Sequence, residues 1–184
     1  MAADGPAVNL PNSITIARIG LAPLFVYLLL ISPEPNSWQH WLATFVFVLA
    51  ISTDGVDGAV ARRTGKVTNL GKILDPIADK ALLGSALVTL SFLAEIDWWI
   101  TILILLRELA VTLYRVTVAK NRVIAATGSG KLKTVLQGVA IGAVLAPFEV
   151  WVSAWSFVEE GLLFVALAST LISGIQFFIA ASKK

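Results

Sequence analysis

The hydrophobic pattern divides the chain into six long apolar stretches, at residues 14–32, 38–60, 73–94, 98–119, 135–154 and 161–180, with short polar breaks between them. Each approaches the roughly 20 residues that a helix needs to cross a bilayer core. Charges interrupt the second, third and fourth stretches, which lowers their hydropathy but not their length. The expected architecture is an all-α integral membrane domain covering residues 1–184, with six transmembrane helices and no room for a separate soluble domain. Pro11-Asn12-Ser13 reads as a helix start, where Asn or Ser caps the first free amides. Residues 1–10 are weakly patterned, and Gly128-Ser129-Gly130 punctuates the loop before the fifth span.

Composition supports the same class. The chain is 57% hydrophobic and 14% charged, with a mean hydropathy of +0.83. A soluble domain would carry nearer a quarter charged residues. Cysteine is absent, which excludes disulfides, thiolate metal sites and thiol nucleophiles. The first seventeen residues contain no Lys or Arg, so the first span reads as retained rather than cleaved.

The basic residues orient the spans. Arg62, Arg63, Lys66 and Lys72 lie between spans two and three, Lys120, Arg122, Lys131 and Lys133 between spans four and five, and Lys183 and Lys184 at the end. The alternate loops, at 32–37, 95–97 and 155–160, carry no Lys or Arg. The positive-inside rule therefore places both termini in the cytoplasm, and an even number of spans agrees by requiring them to share a side. Trp38, Trp41, Trp98, Trp99, Trp151 and Trp155 cluster at the opposite ends, as interfacial anchors do.

Five acids are harder to place in a membrane. Asp54 and Asp57 end span two, Asp75 and Asp79 begin span three, and Glu108 falls inside span four. Asp54, Asp57, Gly58 and Ala61 recur at i, i+3, i+4 and i+7, one helical face; Gly71, Asp75 and Asp79 recur at i+4. Antiparallel helices joined by a short loop can turn these faces together, bringing four carboxylates to one depth. Each Asp at the bilayer centre costs about 2.5–3.5 kcal/mol on insertion scales, so such a group needs counter-ions. Hard divalent cations prefer oxygen ligands, and the set suits Mg²⁺ or Mn²⁺ rather than zinc. Taken singly, Asp75 before Pro76 is a helix cap, and Asp54 and Asp57 are partners for Arg62 and Lys66. Those readings leave the shared faces and the shared depth unexplained.

The residues spell Asp54-x2-Asp57-Gly58-x2-Ala61-Arg62-x8-Gly71-x3-Asp75-x3-Asp79, which resembles the signature of the CDP-alcohol phosphotransferases without a gap or substitution. Eight specified residues coincide by chance on the order of 10⁻¹⁰ per start position. Pro11-Asn12-x-Ile14-Thr15-x3-Arg18 resembles the family's N-terminal helix. Arg107-Glu108-Leu109 with Arg115, and the segment Gly130 to Gln137, resemble spans four and five of the bacterial phosphatidylglycerophosphate-forming branch. The likeness covers most of residues 10–140, and the last two spans look generic.

The resemblance implies a six-span homodimer of the bacterial inner membrane with its active site toward the cytoplasm. Asp54, Asp57, Asp75 and Asp79 match the family's metal-binding aspartates, implying two ions of Mg²⁺ or Mn²⁺, and Asp79 matches its proposed general base. Gly58, Ala61, Arg62 and Gly71 match positions lining the nucleotide site. The implied substrates are CDP-diacylglycerol and sn-glycerol 3-phosphate. Small residues let a nucleotide approach the helix backbone, and the planar fork of Arg62 suits a phosphate.

An acceptor with its own phosphate needs a basic pocket, for which Arg107, Arg115, Lys131 and Lys133 are the candidates. Arg115, Lys131 and Lys133 also satisfy simple positive-inside retention. Arg107 sits about ten residues from either end of its span, and Glu108 reads as the partner of a polar group on another helix. A family member with a different acceptor, such as phosphatidylglycerol or inositol phosphate, and a divalent-cation transporter are the rival readings. Gly128-x-Gly130-Lys131 is no P-loop: Ala125 stands at the first glycine position and Leu132 follows the Lys.

Overall fold

The computed structural model describes residues 10–32, 34–64, 69–117 and 128–182. Within these, the side chains of 10–12, 14, 54–64, 69–76, 79, 116, 128, 129 and 131 lie outside the description. The regular elements among the described residues are all helical, without strands: α1 Leu10–Leu30, α2 Trp38–Thr64, α3 Asn69–Phe92, α4 Trp98–Thr117, α5 Gly128–Leu145 and α6 Trp155–Ser182, with a 3-10 turn at Phe148–Val150. One helix falls on each expected apolar stretch, but the boundaries move. Gly128-Ser129-Gly130, expected as loop, opens α5, because glycine and serine are tolerated at a helix N-terminus. The fifth helix then stops at Leu145 instead of running to 154. Pro147 lacks an N–H and disfavours helical geometry in the residue before it.

The chain groups into two compact units, Met1–Thr89 with Leu145–Pro147, and Leu90–Val144 with Phe148–Lys184. In the first, α1 packs on α2. Phe25 meets Phe47 at a ring-centroid distance of 5.6 Å, and Leu29, Ala43 and Ala50 are buried on the same two helices. Arg18 is buried in this packing, and its Nε donates to the Ala50 carbonyl at 3.1 Å. His40 is also buried. Its Nε2 donates to the Leu145 carbonyl at 2.9 Å, and the Thr44 hydroxyl donates to the same oxygen at 2.7 Å. A carbonyl at a helix C-terminus has no intrahelical partner, so these two side chains satisfy an orphaned acceptor.

In the second unit α4 packs on α6. Ser91 and Thr101 hydroxyls meet at 2.7 Å, Gln137 Nε2 donates to Thr170 Oγ1 at 2.9 Å, and Tyr114 makes T-shaped ring contacts with Phe177 and Phe178. The turn after α3 closes through Ala94 at φ 63°, with the Glu95 amide donating to the Leu90 carbonyl at 2.9 Å. That is a left-handed helix cap held by a residue other than glycine.

Large apolar side chains stay exposed on several helices: Phe45 and Val48 on α2, Leu106 and Leu113 on α4, Ile175 and Ile179 on α6. Apolar surface of this kind calls for an apolar solvent or partner. By length and composition α6 is the one helix among the described residues able to cross a membrane, and Thr15–Leu30, Lys80–Phe92 and Leu132–Leu145 are shorter apolar helices.

Near the turn, burial and the neighbouring Glu149 carboxylate push Glu95 up to about 7 from an ordinary 4.5. The folded chain thus holds a proton that the unfolded chain gives up between those values. The associated stability is full below about pH 4.5 and is lost as pH rises through about 7. Glu95 keeps open surface, so the slope is shallow. The thermal midpoint of purified protein is expected to fall between pH 5 and pH 8, and Glu95→Gln to flatten that fall. An identical profile in the variant would assign the dependence elsewhere.

Candidate functional site

The signature residues divide between two helices of the first unit. Asp54, Asp57, Gly58, Ala61 and Arg62 belong to the last part of α2, and Gly71, Asp75 and Asp79 to the first part of α3. A helical backbone at both places is what the i+3 and i+4 spacing requires. The side chains of all eight lie outside the described residues, as does that of Lys131. Among the described residues no three His, Cys, Asp or Glu side chains gather as a metal site.

The second unit contains the other candidate group. α4 presents Arg107 and Glu108, and α5 presents Lys133. Glu108 Oε1 accepts from Arg107 Nη1 at 2.8 Å and from Lys133 Nζ at 2.6 Å. Side-chain exposure is 12% for Arg107, 20% for Glu108 and 7% for Lys133, so the charges are held largely away from solvent. One carboxylate between two cations leaves a net charge of +1. Charge-assisted hydrogen bonds of this length are the strong kind, and they make it tolerable to keep three charged groups in an apolar helix bundle.

Arg107 then reaches α6. Its Nη2 donates to Ser173 Oγ at 2.9 Å, and that hydroxyl in turn donates to the Thr170 carbonyl at 2.9 Å. Thr170 is tied to α5 through Gln137, so α4, α5 and α6 share one polar seam inside their apolar packing. Pairing of this kind offsets the cost of burying polar groups in such a seam.

Of the four basic candidates, the structure therefore brings Arg107 and Lys133 onto one carboxylate. Arg115 is placed differently: exposed, with its guanidinium carbon 5.1 Å from the centre of the Phe177 ring. Two helical turns from Arg107 correspond to about 12 Å of rise, too far to share a small anion's oxygens without the chain bending back. The expected pairing of Glu108 with another polar helix is seen, through Lys133 of α5. Sequence reasoning missed the contribution of α6, whose apolar run looked generic. The available signal was Ser173-Gly174, two small residues in mid-helix where polar helix contacts favour such residues.

Comparison with known proteins identifies the family. The CDP-alcohol phosphatidyltransferase family matches residues 8–176. A probable phosphatidylglycerophosphate synthase of Mycobacterium tuberculosis is 39% identical over 94% of this chain and 81% of its own. The CDP-diacylglycerol–glycerol-3-phosphate 3-phosphatidyltransferase of Bacillus subtilis is 39% identical over 92% of this chain and 93% of its own. The Escherichia coli K12 protein of the same name is 34% identical, covering 94% of both chains. The matched region takes in the signature of α2 and α3, the Arg107–Glu108–Lys133 group and most of α6, and the chain belongs to the CDP-alcohol phosphatidyltransferase family.

Proposed function

We propose that this chain is a multi-pass membrane enzyme that transfers the phosphatidyl group of CDP-diacylglycerol to sn-glycerol 3-phosphate, forming phosphatidylglycerophosphate and CMP. The observation that carries the proposal is the ungapped aspartate signature within a chain alike along nearly its whole length to relatives named for this reaction. Six spans, cytoplasmic termini, a cytoplasm-facing site and a homodimer in the bacterial inner membrane complete the reading, supported by the distribution of basic residues and the family resemblance.

The donor set fits a hard divalent cation. The signature supplies oxygen ligands, cysteine is absent, and the only imidazole, His40, is committed to the Leu145 carbonyl. Asp54, Asp57, Asp75 and Asp79 would hold a pair of Mg²⁺ or Mn²⁺ ions. When bound, such ions neutralise the pyrophosphate and polarise the reacting phosphorus. Gly58, Ala61 and Gly71 leave room for the nucleotide against the helix backbone, and Arg62 lends fixed charge to a phosphate.

The acceptor hydroxyl attacks the phosphorus that carries diacylglycerol, forming the new ester while the bond to CMP breaks. Asp79 takes the hydroxyl proton as that ester forms. The acceptor's own phosphate is taken by Arg107 and Lys133, whose surplus positive charge survives their pairing with Glu108, and Arg115 and Lys131 add to the local field.

CMP release by the purified protein is the test, with CDP-diacylglycerol and Mg²⁺, in the presence and absence of sn-glycerol 3-phosphate. Release that depends on glycerol phosphate and on metal is expected. Release only with another alcohol would overturn the acceptor. No release, with ion flux in vesicles, would replace the enzyme with a transporter.

A further inference from the structure

The seam around Arg107 depends on a helix that carries none of the family's signature. Gly174 of α6 lies directly beneath the Arg107 side chain. A Cβ added there would sit 3.0 Å from Arg107 Cγ and 3.1 Å from Nε. Contacts that short force a neighbour to move, and this neighbour is the stem of the side chain rather than its free end. The guanidinium is fixed at both outer nitrogens, Nη1 on Glu108 and Nη2 on Ser173, so its stem has little freedom to yield. Nε is buried and has no hydrogen-bond partner among the described residues. Glycine is otherwise a costly choice in a helix interior, by about 1 kcal/mol against alanine.

We propose that Ser173 and Gly174 are positioning residues for acceptor recognition: Gly174 leaves the channel through which Arg107 crosses α6, and Ser173 fixes the orientation of its guanidinium. The proposal rests on the reading of Arg107 as a group that binds the acceptor phosphate. An arginine recognises phosphate through a planar fork whose direction matters as much as its charge. A methyl group at 174 shifts that fork while leaving its charge in place. Neither residue touches the reacting atoms, and their effect runs through Arg107 alone.

Steady-state kinetics of the full-length protein in detergent or bilayer discs tests this with four variants: Gly174→Ala, Ser173→Ala, Arg107→Ala and the Arg107→Ala/Gly174→Ala double variant. Gly174→Ala is expected to raise the KM for sn-glycerol 3-phosphate about tenfold, the scale of a misplaced binding group, and to leave the KM for CDP-diacylglycerol within about twofold. Ser173→Ala removes one oxygen and adds no bulk, so it serves if Gly174→Ala folds poorly; a rise of about threefold is expected, near the net worth of one hydrogen bond. With Arg107 already removed, Gly174→Ala should add less than about twofold, since coupled residues lose their separate effects.

A raised acceptor KM in Arg107→Ala, with no change in either α6 variant, overturns the positioning role and leaves the parent reading intact. An equal penalty from Gly174→Ala with and without Arg107 overturns it too, because ordinary helix packing then explains the glycine. An unchanged acceptor KM in Arg107→Ala overturns the parent reading, and the positioning role with it.

Discussion

Asp79→Asn is expected to lower turnover by about 10²–10⁴-fold, the range of a lost general base, while CDP-diacylglycerol binding is largely kept. Asparagine preserves the size of the side chain and one oxygen ligand, but at neutral pH it takes no proton from a hydroxyl. On the proposed reading Asp54, Asp57 and Asp75 would still hold the metal, so the failure should appear in kcat and not in nucleotide affinity. Asp54→Ala provides the contrast: it should raise the Mg²⁺ requirement and weaken nucleotide binding together. Full turnover in Asp79→Asn would end the base assignment. Equal loss of binding and turnover would make Asp79 a ligand only. Binding is measured separately from chemistry, by CMP competition or calorimetry with CDP-diacylglycerol in micelles.

The second large effect concerns Glu108. Glu108→Ala leaves Arg107 and Lys133 largely buried without the carboxylate that both contact. Removing one partner of a buried ion pair costs about 3–5 kcal/mol, because the remaining charge stays desolvated. Insertion scales give a similar figure, about 2.5–3.5 kcal/mol for an unpaired cation at mid-membrane. For a chain of this length the thermal midpoint should fall by about 10 °C. Glu108→Asp keeps the charge on a stem one carbon shorter and should recover part of the loss. Were Glu108→Ala as stable as the parent, the two cations would have another counter-charge, and the +1 assigned to the group would be wrong. The same substitution tests a function for Glu108 beyond stability, since both cations proposed for the acceptor hang on its Oε1.

How much was legible beforehand differs between the two candidate groups. The aspartate constellation was readable because carboxylates in apolar helices are costly and their spacing is periodic. Asp54, Asp57, Asp75 and Asp79 stood out by chemistry before any family likeness was considered. The basic group was readable only as a list. Arg107, Arg115, Lys131 and Lys133 are four cations near two spans, and positive-inside retention explains three of them equally well. Distance separates them: Arg107 and Lys133 meet Glu108, whereas Arg115 rests over Phe177. Nothing local in the sequence marks the role of His40, which caps the Leu145 carbonyl and so joins residues 105 positions apart.

Sequence alone determined the all-helical character, one α-helix on each of the six apolar stretches among the described residues, the aspartate signature and the family. Each of these is carried by local composition or short-range periodicity, which a helix displays in one dimension. Boundaries that hinge on local chemistry were only partly visible, as where Pro147 stops α5 before the apolar run ends. Tertiary structure decided which cations share a carboxylate and that α6 belongs to the polar seam through Thr170, Ser173 and Gly174. Those facts depend on which face of one helix meets another. In a chain whose apolar residues surround the helices almost evenly, the hydrophobic pattern does not specify those faces; the few polar contacts do.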